Sequence, residues 1–310
     1  MGSTSTTTTT SGTGGANGDG DYVISAPFTP DPGVIPSDQV PQGAVSTFTM
    51  ASSESAVFPT DVATGQPFQR DVAVYVPAQY VPGAEAPFMV VQDGISFYES
   101  TMVPALDNLI AAKKIPVMIV VFVEPGPNGG PTEGERSFEY DSVTDAYSTF
   151  VESELLPRVS SELGVAFTSD PEGRAAMGGS SGGAAAFTMG WFHPERYRRI
   201  LTYSGSFCDL QSTAEHPHGA WEYHESLVAS TPAKPLRVAL EVGDMDLDLN
   251  DDSNPRRHWE TANKAMAKVL ADAGYHYRFV FAKGAGHIDQ GVLEQTLPDT
   301  LEWLWQGYPH

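Results

Sequence analysis

An α/β architecture, with a mostly parallel central sheet covered by helices on both faces, is what this sequence predicts. Short runs rich in Val, Ile and Met recur at 88–92, 116–123, 174–177, 200–203, 236–242 and 277–281, and stretches of helical spacing separate them. Continuously apolar strands that alternate with helices are buried on both faces, as in a parallel sheet joined by crossover helices. A chain of 310 residues, 41% hydrophobic and 18% charged, is long enough to bury such a core in one catalytic domain.

Along the chain, residues 1–42 read as a disordered or extended leader. An unbroken threonine run over 7–10, with Gly14, Gly15, Gly18 and Gly20 close by, carries too little apolar surface to fold. Such a leader commonly follows a secretion or lipoprotein signal, so export is the expectation; Met1-Gly2-Ser3 leaves open whether a signal has been removed. The domain at 43–310 opens on antiparallel-type strands at 45–51 and 71–76, with the turn-rich 60–66 between them. Helical spacing places Tyr147, Phe150, Val151, Leu155 and Val159 on one face of 144–163, and Ala262, Met266, Val269 and Leu270 on one face of 259–273. The segment 208–231, with Pro217, Gly219, Trp221 and Tyr223, fits neither period and reads as an irregular cap between two strands.

Seventeen basic against 39 acidic residues give a formal charge of −22, a field that repels nucleic acid and anionic lipid. No stretch approaches the 18 or so consecutive apolar residues of a membrane span. The single Cys208 permits no internal disulfide and stands near no His/Cys cluster at metal-ligand spacing. No cofactor and no metal are called for, and the oligomeric state is open.

The chemistry gathers around Gly178-Gly179-Ser180-Ser181-Gly182, which satisfies G-x-S-x-G between the strand at 174–177 and a helical stretch at 183–192. A strand, a strained turn and a helix whose N-terminus faces an oxyanion are what a nucleophile elbow requires. Gly179-Ser180-Ser181-Gly182-Gly183 matches the same pattern with Ser181 as nucleophile, and the pattern alone admits both frames. Ser180 is preferred, because the backbone N–H of Ser181 then supplies an oxyanion donor. The base must lie downstream, and His287 follows the last strand in the loop Lys283-Gly284-Ala285-Gly286-His287, at the carboxyl end of the sheet where α/β sites lie. His216, His218 and His224 fall in the cap and read as surface residues or substrate contacts; His193, His258, His276 and His310 read as structural or solvated. Asp246, directly after the strand at 236–242, is the expected orienting acid, with Asp244 and Asp248 as alternatives. The order serine, acid, histidine is that of an α/β-hydrolase. Asp244, Asp246, Asp248, Asn250 and Asp252 also alternate like a calcium loop, but Leu249 and Pro255 stand where an EF-hand needs glycine and glutamate.

Further segments match one family. Gly178 to Gly183 with Ala186-Phe187, His193-Pro194-Glu195-Arg196-Tyr197 and Ser204-Gly205-Ser206-Phe207, together with Gln92-Asp93-Gly94, Glu139-Tyr140-Asp141, Glu154-Leu155-Leu156-Pro157, Asp246-Leu247-Asp248, Gly286-His287 and Leu297-Pro298-Asp299, cover about 88–309. They resemble the esterase family that includes enterochelin (ferric siderophore) esterases, bacterial feruloyl esterases, esterase D and mycolyltransferases. The resemblance implies an ester hydrolase with its nucleophile at the serine followed by x-Gly-Gly, hence Ser180, and a second oxyanion N–H on the residue after Asp93-Gly94, hence Ile95. That place also ends the strand at 88–92, where the second donor belongs.

The substrate expected is a small or polymer-linked ester. Arg136, beyond the strand ending near Val123, reads either as a cation for an acyl or phenolate group or as an ion pair to Glu139 or Asp141. It is the only Lys or Arg in 124–141 and 208–231, too few for a highly anionic ferric complex, which favours a neutral or weakly acidic ester. Phe97, Tyr98, Trp221 and Tyr223 read as rim aromatics that stack on an aryl group, or as packing. Siderophore lactones, polyester fragments and acyl transfer to an alcohol are the alternatives.

Overall fold

A computed structural model describes residues 11–12, 17–130, 133–247 and 254–310 of the chain. The strands are β1 (Ser11–Gly12), β2 (Gly20–Ser25), β3 (Ala44–Ala51), β4 (Gln69–Val76), β5 (Glu85–Ala86), β6 (Phe88–Gln92), β7 (Ile119–Val123), β8 (Ala166–Phe167), β9 (Arg174–Gly179), β10 (Arg199–Tyr203), β11 (Arg237–Gly243) and β12 (His276–Lys283). Ten of them form one sheet in the order β1-β2-β12-β11-β10-β9-β6-β7-β4-β3, and β5 pairs with β8 apart from it. From β2 to β7 every pairing is parallel, and β1, β4 and β3 join antiparallel. The expected α/β-hydrolase architecture is the one observed.

The apolar runs behave as a parallel sheet demands. Residues 88–92 and 119–123 are buried throughout, and so is all of β9. Helices α1 (Glu99–Ala111) and α8 (Gln290–Leu304) cover one face, where Met102, Leu106, Leu297 and Trp303 pack with Met89, Phe122 and Met177. The other face is covered by α3 (Ala146–Phe150), a π-helical turn (Val151–Leu155), α4 (Leu156–Leu163), α5 (Ser181–Phe192) and α7 (Trp259–Asp272), around Val90, Val121, Ala176 and Leu240. Gly164, left-handed at φ 64°, ends α4 as a C-terminal glycine should. Between β7 and α3 lies the short α2 (Glu135–Asp141). Among the described residues no helix is long and apolar enough to cross a membrane.

The boundary expected at residue 43 moves. Residues 20–25 are a strand of the main sheet, in parallel register with β12 from Gly20 opposite Arg278 to Ser25 opposite Lys283. The reason lies in Ile24, buried with Val280, Ala282 and Val292, and in Asp19, which accepts from Trp303 Nε1 at 3.1 Å. The threonine run lies outside the described residues.

The segment 208–231 folds into a 3₁₀ turn (Gly219–Trp221), a π turn (Tyr223–Leu227) and α6 (Val228–Ser230). Tyr223 is no rim residue: it is fully buried among Phe187 and Trp191 of α5, with its hydroxyl 2.8 Å from Thr188 Oγ1. His224 is buried too, contrary to the surface placement expected; its Nε2 lies 3.1 Å from the Phe207 carbonyl, and burial pulls its pKa down to about 4. Tyr223 anchors this segment to α5, and His224 ties it to the loop after β10.

Candidate active site

At the end of β9 the chain must reverse into α5 within one residue, and that residue is Ser180, at φ 55° and ψ −129°. A non-glycine residue in this region costs roughly 1–3 kcal/mol and persists only where its surroundings impose it. The glycines on either side impose it. A Cβ on Gly178 would stand 2.3 Å from the Gly182 carbonyl carbon, so strand and helix approach to a distance only glycine permits, and one on Gly179 would stand 2.7 Å from Ile288 Cδ1 in the loop after β12. The Ser180 carbonyl accepts from Gly183, Ala184 and Ser206 N–H groups at 2.9, 3.2 and 2.9 Å, and its hydroxyl lies 3.3 Å from Ser206 Oγ. Ser181 differs: it is buried, and its hydroxyl bonds to the interior carboxyl of Asp141.

Two loops bring the other predicted groups together. His287 Nδ1 lies 2.5 Å from Asp246 Oδ1. Asp246 is buried; its Oδ1 also accepts from the Leu247 N–H at 2.7 Å, and its Oδ2 from Ser204 Oγ at 2.6 Å. Of the alternatives, Asp244 turns away to accept from the Gly284 N–H at 2.6 Å, and Asp248 lies outside the described residues. Asn250 and Asp252 of the calcium-like run also lie outside them. With Nδ1 bound to a carboxylate, Nε2 is the ring nitrogen left to act as a base.

Ile95 follows two left-handed residues, Asp93 at φ 66° and Gly94 at φ 70°. Its carbonyl accepts from the Tyr98 and Glu99 N–H groups at 2.9 and 2.8 Å, so Ile95 stands at the N-terminal edge of α1, as Ser181 does at that of α5. First-turn N–H groups lack intrahelical acceptors and point outward. Beside Ile95 a cleft of about 340 Å³ is lined by Thr47, Thr49, Asp71 and Glu124. Burial and then the Asp93 charge push the Glu124 carboxyl upward.

Arg136 forms an ion pair, but with neither partner expected. Its Nε and Nη2 lie 2.7 and 3.0 Å from the two oxygens of Asp93. Glu139 is taken instead by Arg70, in a fully buried bidentate pair of 2.7 and 3.0 Å, and Asp141 by Ser137 and Ser181. Phe97 is 41% exposed and packs edge-on against the buried Tyr98; Trp221 is half-buried, bonded to Glu225 and packed on His224. Three residues to which no role had been given complete the site. Ser204, at φ 49°, joins Asp246 to the Ile288 N–H at 3.0 Å; Ser206 meets Ser180; and Trp259 donates to Ser206 Oγ at 3.1 Å while lying edge-on to His287 at 5.8 Å. For Ser204 and Ser206 the signal was Ser204-Gly205-Ser206 directly after β10, the strand beside β9; Trp259, the first residue of α7, had none.

The fold is of the α/β-hydrolase class. The family described as Putative esterase matches residues 66–303, and the chain belongs to it. It is 31% identical over 251 residues to an iron(III) enterobactin esterase of Dickeya dadantii (strain 3937), across 77% of this chain but only about half, 52%, of that protein's length. Among solved structures, an enterobactin esterase from Shigella flexneri superposes with a TM-score of 0.60 at 22% identity, over 86% of this chain and 61% of that one. A ferulic acid esterase does so with a TM-score of 0.63 at 18% identity, over 86% and 99%.

Proposed function

We propose that the chain is a hydrolase of carboxylic esters that works through an acyl-enzyme on Ser180, with His287 as base and Asp246 as the acid that orients it. The observation that carries this is the 2.5 Å contact between His287 Nδ1 and the buried Asp246. It fixes the tautomer that leaves Nε2 free to accept the Ser180 proton as the serine oxygen attacks the ester carbonyl. The N–H groups of Ser181 and Ile95 meet the oxyanion, a contribution of roughly 3–4 kcal/mol per donor. His287 returns the proton to the departing alcohol, and the same base activates water to release the acid.

The substrate favoured is a neutral or weakly acidic ester of an aromatic acid, of the feruloyl type. The Arg136 guanidinium is occupied by Asp93, and the cleft beside Ile95 presents Asp71 and Glu124, which repel a multiply anionic ferric complex. The exposed Phe97 ring offers a face for an aryl group. A siderophore lactone is the second reading, favoured by the 31% identity to the Dickeya enzyme.

Ser180→Ala should abolish hydrolysis of a para-nitrophenyl acyl ester and labelling by a fluorophosphonate. Ser181→Ala should keep both reactions, slowed by no more than about a hundredfold, because it loses the hydroxyl contact to Asp141 but not the nucleophile. Activity retained in Ser180→Ala and lost in Ser181→Ala would reverse the frame, and activity in both would remove the serine mechanism. Methyl ferulate turned over faster than an enterobactin-type trilactone supports the aryl ester; the reverse order selects the siderophore.

A further inference from the structure

Both donors of the proposed oxyanion hole hang from one seven-residue helix, α2. On the Ile95 side, Arg136 holds both oxygens of Asp93, and the Asp93 N–H donates to the Tyr140 phenol oxygen at 3.2 Å. The Arg136 guanidinium lies over the Tyr140 ring at 5.4 Å, which joins the two contacts into one unit. On the Ser181 side, the fully buried Asp141 binds the Ser181 hydroxyl and accepts from Ser137 Oγ at 2.8 Å. The Asp93 carboxylate is wedged as well: a Cβ on Gly182 would stand 2.7 Å from its Oδ2, so it fills the gap between α2 and the first turn of α5.

We infer that α2 is the positioning element of the oxyanion hole, with Arg136, Tyr140 and Asp141 as positioning residues that fix Ile95 and Ser181 relative to one another. The inference rests on the reading of Ser180 given above. Two donors stabilise an oxyanion only when both lie at hydrogen-bond distance from the same point, so their mutual placement matters more than the strength of either. On the Ile95 side the Gly94 N–H donates to the Val123 carbonyl at 3.0 Å, but Asp93 before it is a non-glycine residue in the left-handed region, and without a further restraint its backbone relaxes toward negative φ and shifts the Ile95 N–H with it. A partly exposed ion pair such as Arg136 with Asp93 adds little to stability, so its fork is better understood as a geometric restraint. The same guanidinium that looks like a substrate cation in the sequence is thus directed at the backbone that surrounds the reacting carbonyl.

The test uses the full chain with a para-nitrophenyl acyl ester. Arg136→Gln and Asp141→Asn should each lower kcat by about tenfold to a hundredfold, the effect of a donor displaced by a fraction of an ångström, with KM within about twofold. Fluorophosphonate labelling at Ser180 should slow in parallel, since it builds charge in the same hole. Guanidinium ion added to Arg136→Ala should restore part of kcat, which a merely structural role does not predict. Tyr140→Phe, lacking one oxygen, carries the same test should Arg136→Gln fail to fold. Arg158→Gln, which breaks the surface pair with Glu162 on α4, should keep the wild-type kcat. If the α2 variants keep kcat while Ser180→Ala abolishes activity, α2 has no positioning role and the serine mechanism stands. If they raise KM at constant kcat, Arg136 binds substrate and the inference falls. If Ser180→Ala stays active, the reading of the site falls and this inference with it.

Discussion

Asp246 and Glu241 are buried carboxyl groups near the carboxyl end of β11, and they live in opposite circumstances. Asp246 has a donor for each oxygen: His287 and the Leu247 N–H at Oδ1, and Ser204 at Oδ2. Neither oxygen of Glu241 has a hydrogen-bond partner. Burial, then the charge of Asp246, drives the Glu241 carboxyl well above its ordinary range, so it stays protonated. An ionised carboxylate in an interior is tolerable only where donors surround it, and a lone one keeps its proton instead. The fold thus places donors where the chemistry needs a negative charge beside an imidazole, and none around Glu241 on β11 itself. That contrast separates a residue held for function from one that only weakens the core.

The contrast breaks first at the acid. Asp246→Asn should cost about 10⁴-fold in kcat, because an amide no longer holds the tautomer that frees Nε2. Asp244→Asn, whose carboxylate serves only the Gly284 N–H, should stay within about twofold. Equal losses in the two would mean that Asp246 is not the orienting acid. A smaller effect is expected one contact further out. Ser204→Ala strips the donor from Asp246 Oδ2 and leaves the Ile288 N–H without its acceptor, and should lower kcat about tenfold with KM unchanged. A wild-type kcat in Ser204→Ala would show that two contacts suffice to hold the carboxylate.

How far the sequence foretold this site depends on the range of the signal. The strands at 88–92 and 174–177, the elbow and the order serine, acid, histidine are written in local pattern, because each follows from residues adjacent in the chain. The two prolines inside α1 and α8, Pro104 and Pro298, disrupt helical spacing, and neither helix was drawn from periodicity. β2 escaped because its apolar content is slight; it becomes a strand only when β12 offers a parallel edge. Arg136 was placed on the correct side of the sheet and given the wrong partners, since Glu139 and Asp141 are its neighbours in sequence whereas Asp93 meets it only across the fold. Tyr223 and His224 carry the composition of a rim and occupy the core, a difference that no local pattern encodes.

The last contrast concerns stability rather than rate. A carboxyl whose folded pKa is raised holds its proton where the unfolded chain has already released it, so folding loses stability as pH rises above the unfolded carboxyl range near 4.5. Glu241→Met, similar in length and without polar atoms, removes both the orphaned oxygens and that proton linkage. It should raise stability by about 1–3 kcal/mol near pH 8, the cost of a buried unsatisfied group. The gain over the wild type should shrink as pH falls below about 4, where the unfolded glutamate is protonated as well. Paired melting curves at about pH 3.5 and pH 8 read that difference directly, and the general repulsion within so acidic a chain largely cancels between the two proteins. A pH-independent gain would mean that Glu241 is not held protonated by burial, and a loss of stability at pH 8 would mean that it has partners in solution and resembles Asp246 after all. Because Glu241 touches none of the reacting groups, kcat should move far less than in Ser204→Ala. The two carboxyl groups then sort by assay: one visible in turnover, the other in the melt.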